Sequence, residues 1–443
     1  MKRFAFIALL VTTLLLMLGS VVFAQTTTTL TVTWWGSENR HNKTIAVIEM
    51  FEAEHPEIDI EYEYSVWADY WTRVNTQVAG GAVACVMQQD YNYLTEWATR
   101  GLLIPLDDLM EAGAINVADV AAPILDSGRV LIDDTNFIYG LSLGSNTQAY
   151  LLDVAAFEAA GLELPAWDWT WDDFEAMAYQ MYDNTGKWMI AYGPEDDNST
   201  WAMLISSGQT SFTLDGTTFG WDDPAPLIEY WARLKRMMDY GAMPPWEMND
   251  EITQGNTLTH EQSPITRGEE AIRYQWSNQM AAVINAATAA DEAAGVEPRQ
   301  FVLHPLPRVA DGRGANYMKP SMFFSITEGC ETVDEAALFI DFFTNDLEAN
   351  EILLAERGVP IAPAVLEHLS GIVTEVEASV FDFVATVAGE ASPLPPPTPA
   401  GYTDFKENVF VPTVDEVLYG VITPEEGVER LREEGQAILD ANH

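Results

Sequence analysis

Between Thr31 and Leu109 the spacing of apolar positions alternates, three times over, between the two-residue period of a strand and the longer period of a helix. Thr31-Val32-Thr33-Trp34-Trp35 is a short β-prone run. After Gly36-Ser37-Glu38-Asn39, the apolar residues Ile45, Ile48 and Phe51 fall near one face of a predicted helix, and Pro56 follows its end. Next, Ile58, Ile60, Tyr62 and Tyr64 alternate with acids, which places them on one side of a half-buried strand near a sheet edge. A second helix over 68–79 carries Trp71, Val74 and Val78 on one stripe and stops at Gly80-Gly81. The third unit is a buried-type run, Ala84-Cys85-Val86-Met87-Gln88, followed by a helix that carries Leu94 and Trp97 and ends at Gly101. Strands alternating with helices predict an α/β fold with a mostly parallel sheet. Ligands of such open sheets bind beyond the carboxyl ends of the strands, which selects 34–40, 64–70 and 89–93 as candidate binding segments.

The start of the chain has a different pattern. Lys2-Arg3 precede a mainly apolar run from Phe4 to Leu18, and Val22-Phe23-Ala24 offers a small-residue cleavage site before Gln25. Residues 1–24 therefore read as a secretory signal peptide, with an apolar core shorter than the roughly 20 residues a bilayer span needs. The expected location is the periplasm or the extracytoplasmic cell surface. No cysteine follows the apolar run, so a lipid anchor is not supported, while an uncleaved anchor stays open. The remainder is the composition of a globule, 48% hydrophobic and 20% charged with no second long apolar span, and 443 residues suffice for two or more domains. The 68 acids against 21 bases give a net charge of −47, a surface that repels nucleic acid and anionic membranes.

Further along, several runs stand in an order that carries a family likeness. Trp34-Trp35-Gly36-Ser37 with Arg40-His41, Phe51-Glu52-Ala53-Glu54-His55-Pro56, Met87-Gln88-Gln89-Asp90-Tyr91, and the stretch from Leu94-Thr95-Glu96-Trp97 to Pro105-Leu106-Asp107-Asp108 resemble the family 1 extracellular solute-binding proteins of bacterial carbohydrate ABC importers. The resemblance continues through 139–152, a first crossing between lobes; 164–174, where Thr170 caps a helix with Asp172 and Asp173 in its first turn; 267–279; 303–326, a return crossing; and 357–361, a third crossing. It covers nearly all of the chain after 24 and is weakest over about 190–260 and after 365; between Gly186 and Trp246 short strands and helices with dispersed tryptophans are expected. It implies a two-lobed periplasmic-binding-protein-like fold with a hinge and an interlobe ligand cleft. Lobe 1 would comprise 25–139 plus 316–357, and lobe 2 would comprise 140–315 plus 358–443.

The function implied is capture of a mono- or oligosaccharide by a monomer that delivers it to the membrane permease of an ABC importer, without a cofactor or a metal. The expected ligand residues are Trp35, Glu38, Trp67 and Asp90 from the first lobe, Trp276 from the second, and Arg357 near the third crossing. Trp35 and Trp276 would stack on sugar faces, and Asp90, following a strand end, would accept from hydroxyls. Ordinary packing or helix capping is the alternative for each. In the resembling fold the strand near Phe323 to Ile326 runs antiparallel beside the one beginning at Cys85, so a Cys85–Cys330 disulfide is expected, which export permits. A secreted carbohydrate-active hydrolase is the competing reading. It would need paired carboxylates, which 68 acids supply by chance. No H-E-x-x-H, G-x-S-x-G or phosphate loop supports an enzyme, the six histidines are scattered, and no internal repeat suggests a surface-layer protein.

Overall fold

The computed structural model describes residues 27–36, 38–132, 135–253 and 259–442. The predicted signal peptide, 1–24, lies outside the described residues. The three strand-helix units are present as β1 (Thr28–Trp35), α1 (Glu38–Glu54), β2 (Ile58–Ser65), α2 (Trp67–Gly80), β3 (Val86–Gln89) and α3 (Tyr91–Thr99). α1 buries Thr44, Val47, Ile48 and Phe51, a stripe at helical spacing. α2 ends where Gly81 takes the left-handed conformation, its N–H returning to the last carbonyls. β1 runs parallel to both β2 and β3. At the edge, β2 keeps Ile58 and Ile60 buried, but Tyr62 and Tyr64, on the same side, are 39% and 43% exposed and lean on the buried Trp34.

The segment 121–138, which the sequence gives only as polar and turn-rich, forms a short helix, Ala122–Asp126, and a hairpin of β4 (Arg129–Ile132) and β5 (Thr135–Ile138). The chain then adds β6 (Leu141–Ser142) to the first sheet, makes the two-residue strand β7 (Ser145–Asn146), and enters a second sheet through β8 (Gln148–Asp153). There β8 is the centre of an antiparallel three-stranded sheet with β9 (Ile272–Trp276) and β10 (Phe301–His304). The return runs through β11 (Lys319–Pro320) into β12 (Phe323–Ile326), which pairs antiparallel with β3 and β6 and completes the order β2-β1-β3-β12-β6.

These crossings meet. β7 pairs with β11, and Ser145 exchanges two backbone hydrogen bonds with Val359, so three passages of the chain are held side by side. The packing leaves no room for side chains at two points. A Cβ on Gly144 would lie 2.5 Å from the Arg357 carbonyl oxygen, and Gly358, at φ +107°, sits where L-residues are strained.

Over 186–246 the expected short strands are replaced by helices, Asp197–Ser206 and Ala225–Tyr240, with only isolated β-bridges among the described residues. The cause is a helical apolar stripe, Leu227, Tyr230, Trp231, Leu234, Met237 and Met238, all buried. Trp201, Trp221, Trp231 and Trp246 belong to this core rather than to a surface. Thr170 caps the helix Trp171–Thr185 in a reciprocal box with Asp173, and Asp172 pairs with Arg233.

Cys85 and Cys330 are joined in a disulfide with Cα atoms 4.6 Å apart. The antiparallel register Val86↔Ile326 and the hydrogen bond from Thr327 N to Cys85 O bring them together. The bond closes a loop with a sequence separation of 245, and removal of a native bridge costs about 2–5 kcal/mol. Unreduced peptide mapping is expected to recover the 85–330 pair, and reduction or the Cys85→Ser/Cys330→Ser double variant to lower the melting temperature. Two free thiols in the mapped peptides would refute the pairing.

Glu270 is fully buried in the second core, and Glu195 and Asp196 lie half-buried beside it. Glu195 accepts from Gly193 N, Asp196 caps the helix Asp197–Ser206 by accepting from Ser199 N, and Glu270 accepts from Ala191 N. Burial pushes each of them up to about 7. A carboxyl whose folded pKa is raised binds its proton more readily in the folded chain, so its stabilisation is complete below the ordinary carboxylate range and is lost as pH rises to about 7. The melting temperature is therefore expected to be higher at pH 5 than at pH 8, and Glu270→Gln to flatten part of that slope. A melting temperature that rises with pH over this interval would contradict the assignment.

Candidate functional site

The crossing at β11 divides two cavities. One, of about 240 Å³, is lined by Trp276, Asn278 and Gln279 from the end of β9 and the helix Ser277–Ala294, by Asn146 of β7, and by Arg40, Glu356 and Arg357. The other, of about 190 Å³, lies between Asp90, Tyr91 and Asn92 at the start of α3 and the proline-rich segment 394–398, with Trp201, Tyr317 and Tyr402 beneath. Lys319, Pro320 and Ser321 line both. A wider hollow of about 670 Å³ continues past Tyr91 and Pro397, between α3, the β4–β5 hairpin and Thr213–Asp215. The two smaller cavities together fall within the range of roughly 300–1,000 Å³ typical of ligand sites, as the wider hollow does alone. The proline-rich segment is tied across the second cavity: Tyr91 donates to the Pro395 carbonyl at 2.9 Å, and Thr398 to the Asn92 side-chain oxygen at 2.9 Å.

The first cavity rests on a buried cation. Arg357 Nε donates to Gln88 Oε1 at 3.2 Å, Nη2 to Thr44 Oγ1 at 2.8 Å and Nη1 to Glu356 at 3.3 Å. Burial, and secondarily the like charge of Arg40, pushes its pKa down to about 9, against the pull of Glu356. Arg40 in turn donates through Nε to both Glu356 oxygens, at 2.8 and 3.0 Å. Gln88 completes the chain by donating to the Trp35 carbonyl at 3.1 Å.

The expected ligand residues are thus distributed. Trp276 and Arg357 face one cavity and Asp90 the neighbouring one, across a shared wall. Trp276 is half-buried, with Tyr317 edge-on to it and the Lys319 ammonium 4.8 Å from its ring centre. Asp90 has two tasks: its Oδ1 accepts from Asn92 N at 2.9 Å, capping α3, while the residue lines the cavity. Burial raises its pKa, opposed by the Asn92 hydrogen bond and by Lys319.

Trp35 and Trp67 lie elsewhere, in an aromatic cluster with Tyr70 and Trp71. The Trp35 ring is 7% exposed, and its contribution to the cavity network is its carbonyl; Trp67, at 42% exposure, presents its ring outside both cavities. Glu38 is exposed in the first turn of α1 and lines neither cavity.

Sequence reasoning missed Asn146, Tyr317 and Lys319 as lining residues. All three lie in the crossings, where two-residue strands and the segments beside them give no periodic signal. Among the described residues no helix is long and apolar enough to cross a membrane, and no group of three or more metal-ligating side chains occurs.

Residues 46–376 match the family model described as bacterial extracellular solute-binding protein. An extracellular solute-binding protein family 1 structure from Alicyclobacillus acidocaldarius is 26% identical, with a TM-score of 0.81 over 94% of this chain and 99% of that one. A periplasmic oligogalacturonide binding protein from Yersinia enterocolitica superposes with a TM-score of 0.74 at 23% identity, covering 94% of this chain and all of that one. An uncharacterized lipoprotein from the oleD 5' region of Streptomyces antibioticus is 20% identical over 397 residues, 86% of this chain and 80% of that protein. With a hinge between two sheets, cavities at the crossing and a family match over most of its length, the chain belongs to the bacterial extracellular solute-binding proteins.

Proposed function

We propose that this protein captures a carbohydrate, a mono- or oligosaccharide, between its two lobes outside the cytoplasmic membrane and delivers it as a monomer to the permease of an ABC importer. The observation that carries the reading is the pair of cavities sharing Lys319–Ser321 at the hinge, with an indole in one and a carboxylate in the other. An indole face covers the apolar C–H face of a sugar ring, while carboxylate, amide and cationic groups fix its hydroxyls. The chain of spaces past Tyr91 and Pro397 suits more than one sugar unit, and the Yersinia relative named above binds an oligogalacturonide. Closure about the three crossing strands would remove the ligand from water.

A receptor returns its ligand unchanged. A thermal-shift screen of mono- and oligosaccharides is expected to find a stabilising sugar, tryptophan fluorescence to shift on its addition, and stoichiometric recovery to follow release. Multiple-turnover appearance of shorter sugars would instead establish a hydrolase.

The same sugar tests the residues. Trp276→Ala and Asp90→Asn are each expected to weaken binding by roughly 1–3 kcal/mol, the scale of an aromatic contact or a charged hydrogen bond. Asparagine also caps helices well and carries no charge to bury, so Asp90→Asn is expected to melt no lower than the parent. Normal folding of both variants with parental affinity would place the site elsewhere.

A further inference from the structure

The chain holds more than three acids for every lysine or arginine, yet the cavity beside Trp276 reverses that ratio, with Arg40, Lys319 and Arg357 in its wall against Glu356 alone. Glu356 is already shared between the two arginines. The Lys319 ammonium makes no hydrogen bond or ion pair among the described residues; it rests near the Trp276 indole, and its charge reaches Asp90 in the neighbouring cavity. Two polar groups in the wall also lack partners: the Asn146 side-chain oxygen, on a residue 9% exposed, and the Ser321 hydroxyl. A buried, under-neutralised guanidinium, an uncommitted ammonium and an unpartnered hydroxyl form an arrangement that a bound anion would complete.

Resting on the carbohydrate reading, we infer that this cavity takes an acidic sugar, a uronic acid unit whose carboxylate meets Lys319 and Ser321 while its ring stacks on Trp276. Only one cation in the wall is uncommitted, which matches the single charge of a carboxylate better than the −1.5 to −2 of a phosphate monoester. The flexible lysine stem lets the ammonium leave the indole face as the ring arrives. Arg357, pushed down in pKa by burial and by Arg40, gains a compensating charge nearby. The strongly acidic surface opposes the approach of such a ligand only at low ionic strength, because charges beyond about 8 Å are largely screened at physiological salt.

Calorimetric titration against dimers and trimers of 1,4-linked galacturonate, mannuronate and glucuronate, beside neutral hexose and pentose oligomers of equal length and a hexose phosphate, tests the assignment. A uronate oligomer is expected to bind at least about tenfold more tightly than any neutral counterpart and to weaken with added salt. Lys319→Gln, a change at an exposed position, is expected to remove about tenfold or more of the uronate affinity, a larger loss than for any neutral sugar, while leaving the melting temperature unaffected. Tighter binding of a neutral oligomer would overturn the acidic assignment and leave the carbohydrate reading standing. Tighter binding of the hexose phosphate would overturn the carboxylate, and an unchanged uronate affinity in Lys319→Gln would overturn the role of Lys319. Binding of no sugar of any class would remove both readings.

Discussion

Burying a guanidinium is expensive unless its hydrogen bonds and charge are met, and Arg357 is where this chain accepts that cost. Its three donors reach three different parts of the fold: Gln88 near the end of β3, Thr44 on α1, and the adjacent Glu356. A ring, Phe343, covers its plane at 5.0 Å. The first sheet, its first helix and the third crossing therefore meet at this side chain, and Arg40 of α1 adds a second tie through Glu356. Gly144 packs against the Arg357 carbonyl, and Gly358 against Ser145 and Asn146, so the crossings meet beside the residue that carries this charge.

The first hundred residues after the leader were the most readable part of the chain. There the apolar period changes sharply, Pro56, Gly81 and Gly101 mark the ends, and each strand is followed by its own helix. Family likeness supplied the topology that periodicity cannot, including the antiparallel partner of β3. Over 186–246 the expected helices form but the expected strands do not, because aromatic residues suit strands and helices alike, and only the i, i+3, i+4 burial of Leu227, Tyr230, Trp231 and Leu234 distinguishes them. The β4–β5 hairpin was missed because its strands are four residues each and largely exposed.

The site was legible to a lesser degree, for a physical reason. Strand-end position finds residues near the crevice but not which way they face, and at the end of β1 the ring of Trp35 turns into an aromatic cluster while its carbonyl turns toward Gln88. Asp90 illustrates a second difficulty, since one carboxylate caps α3 and lines a cavity at once. Capping and ligand contact are not exclusive when a helix begins at the edge of the cleft. Lys319 carries no periodic signal, because it lies in the two-residue strand β11 and lines both cavities only through the way the crossings meet.

The pairing of β3 with β12 has a consequence for how this chain is made. β3 lies at the middle of the first sheet, yet one of its two neighbours is supplied only when Ile326 comes opposite Val86. Until then the N-terminal half presents a central strand with an open edge, the feature that invites pairing with other chains. Contacts so distant in sequence also form slowly. The order of events outside the membrane is thereby constrained: the second sheet, enclosed between 148 and 304, can assemble while the first waits, and the cysteines can meet only after the last strand has docked. Until the late strand arrives, the open edge of β3 is the place where another chain would pair.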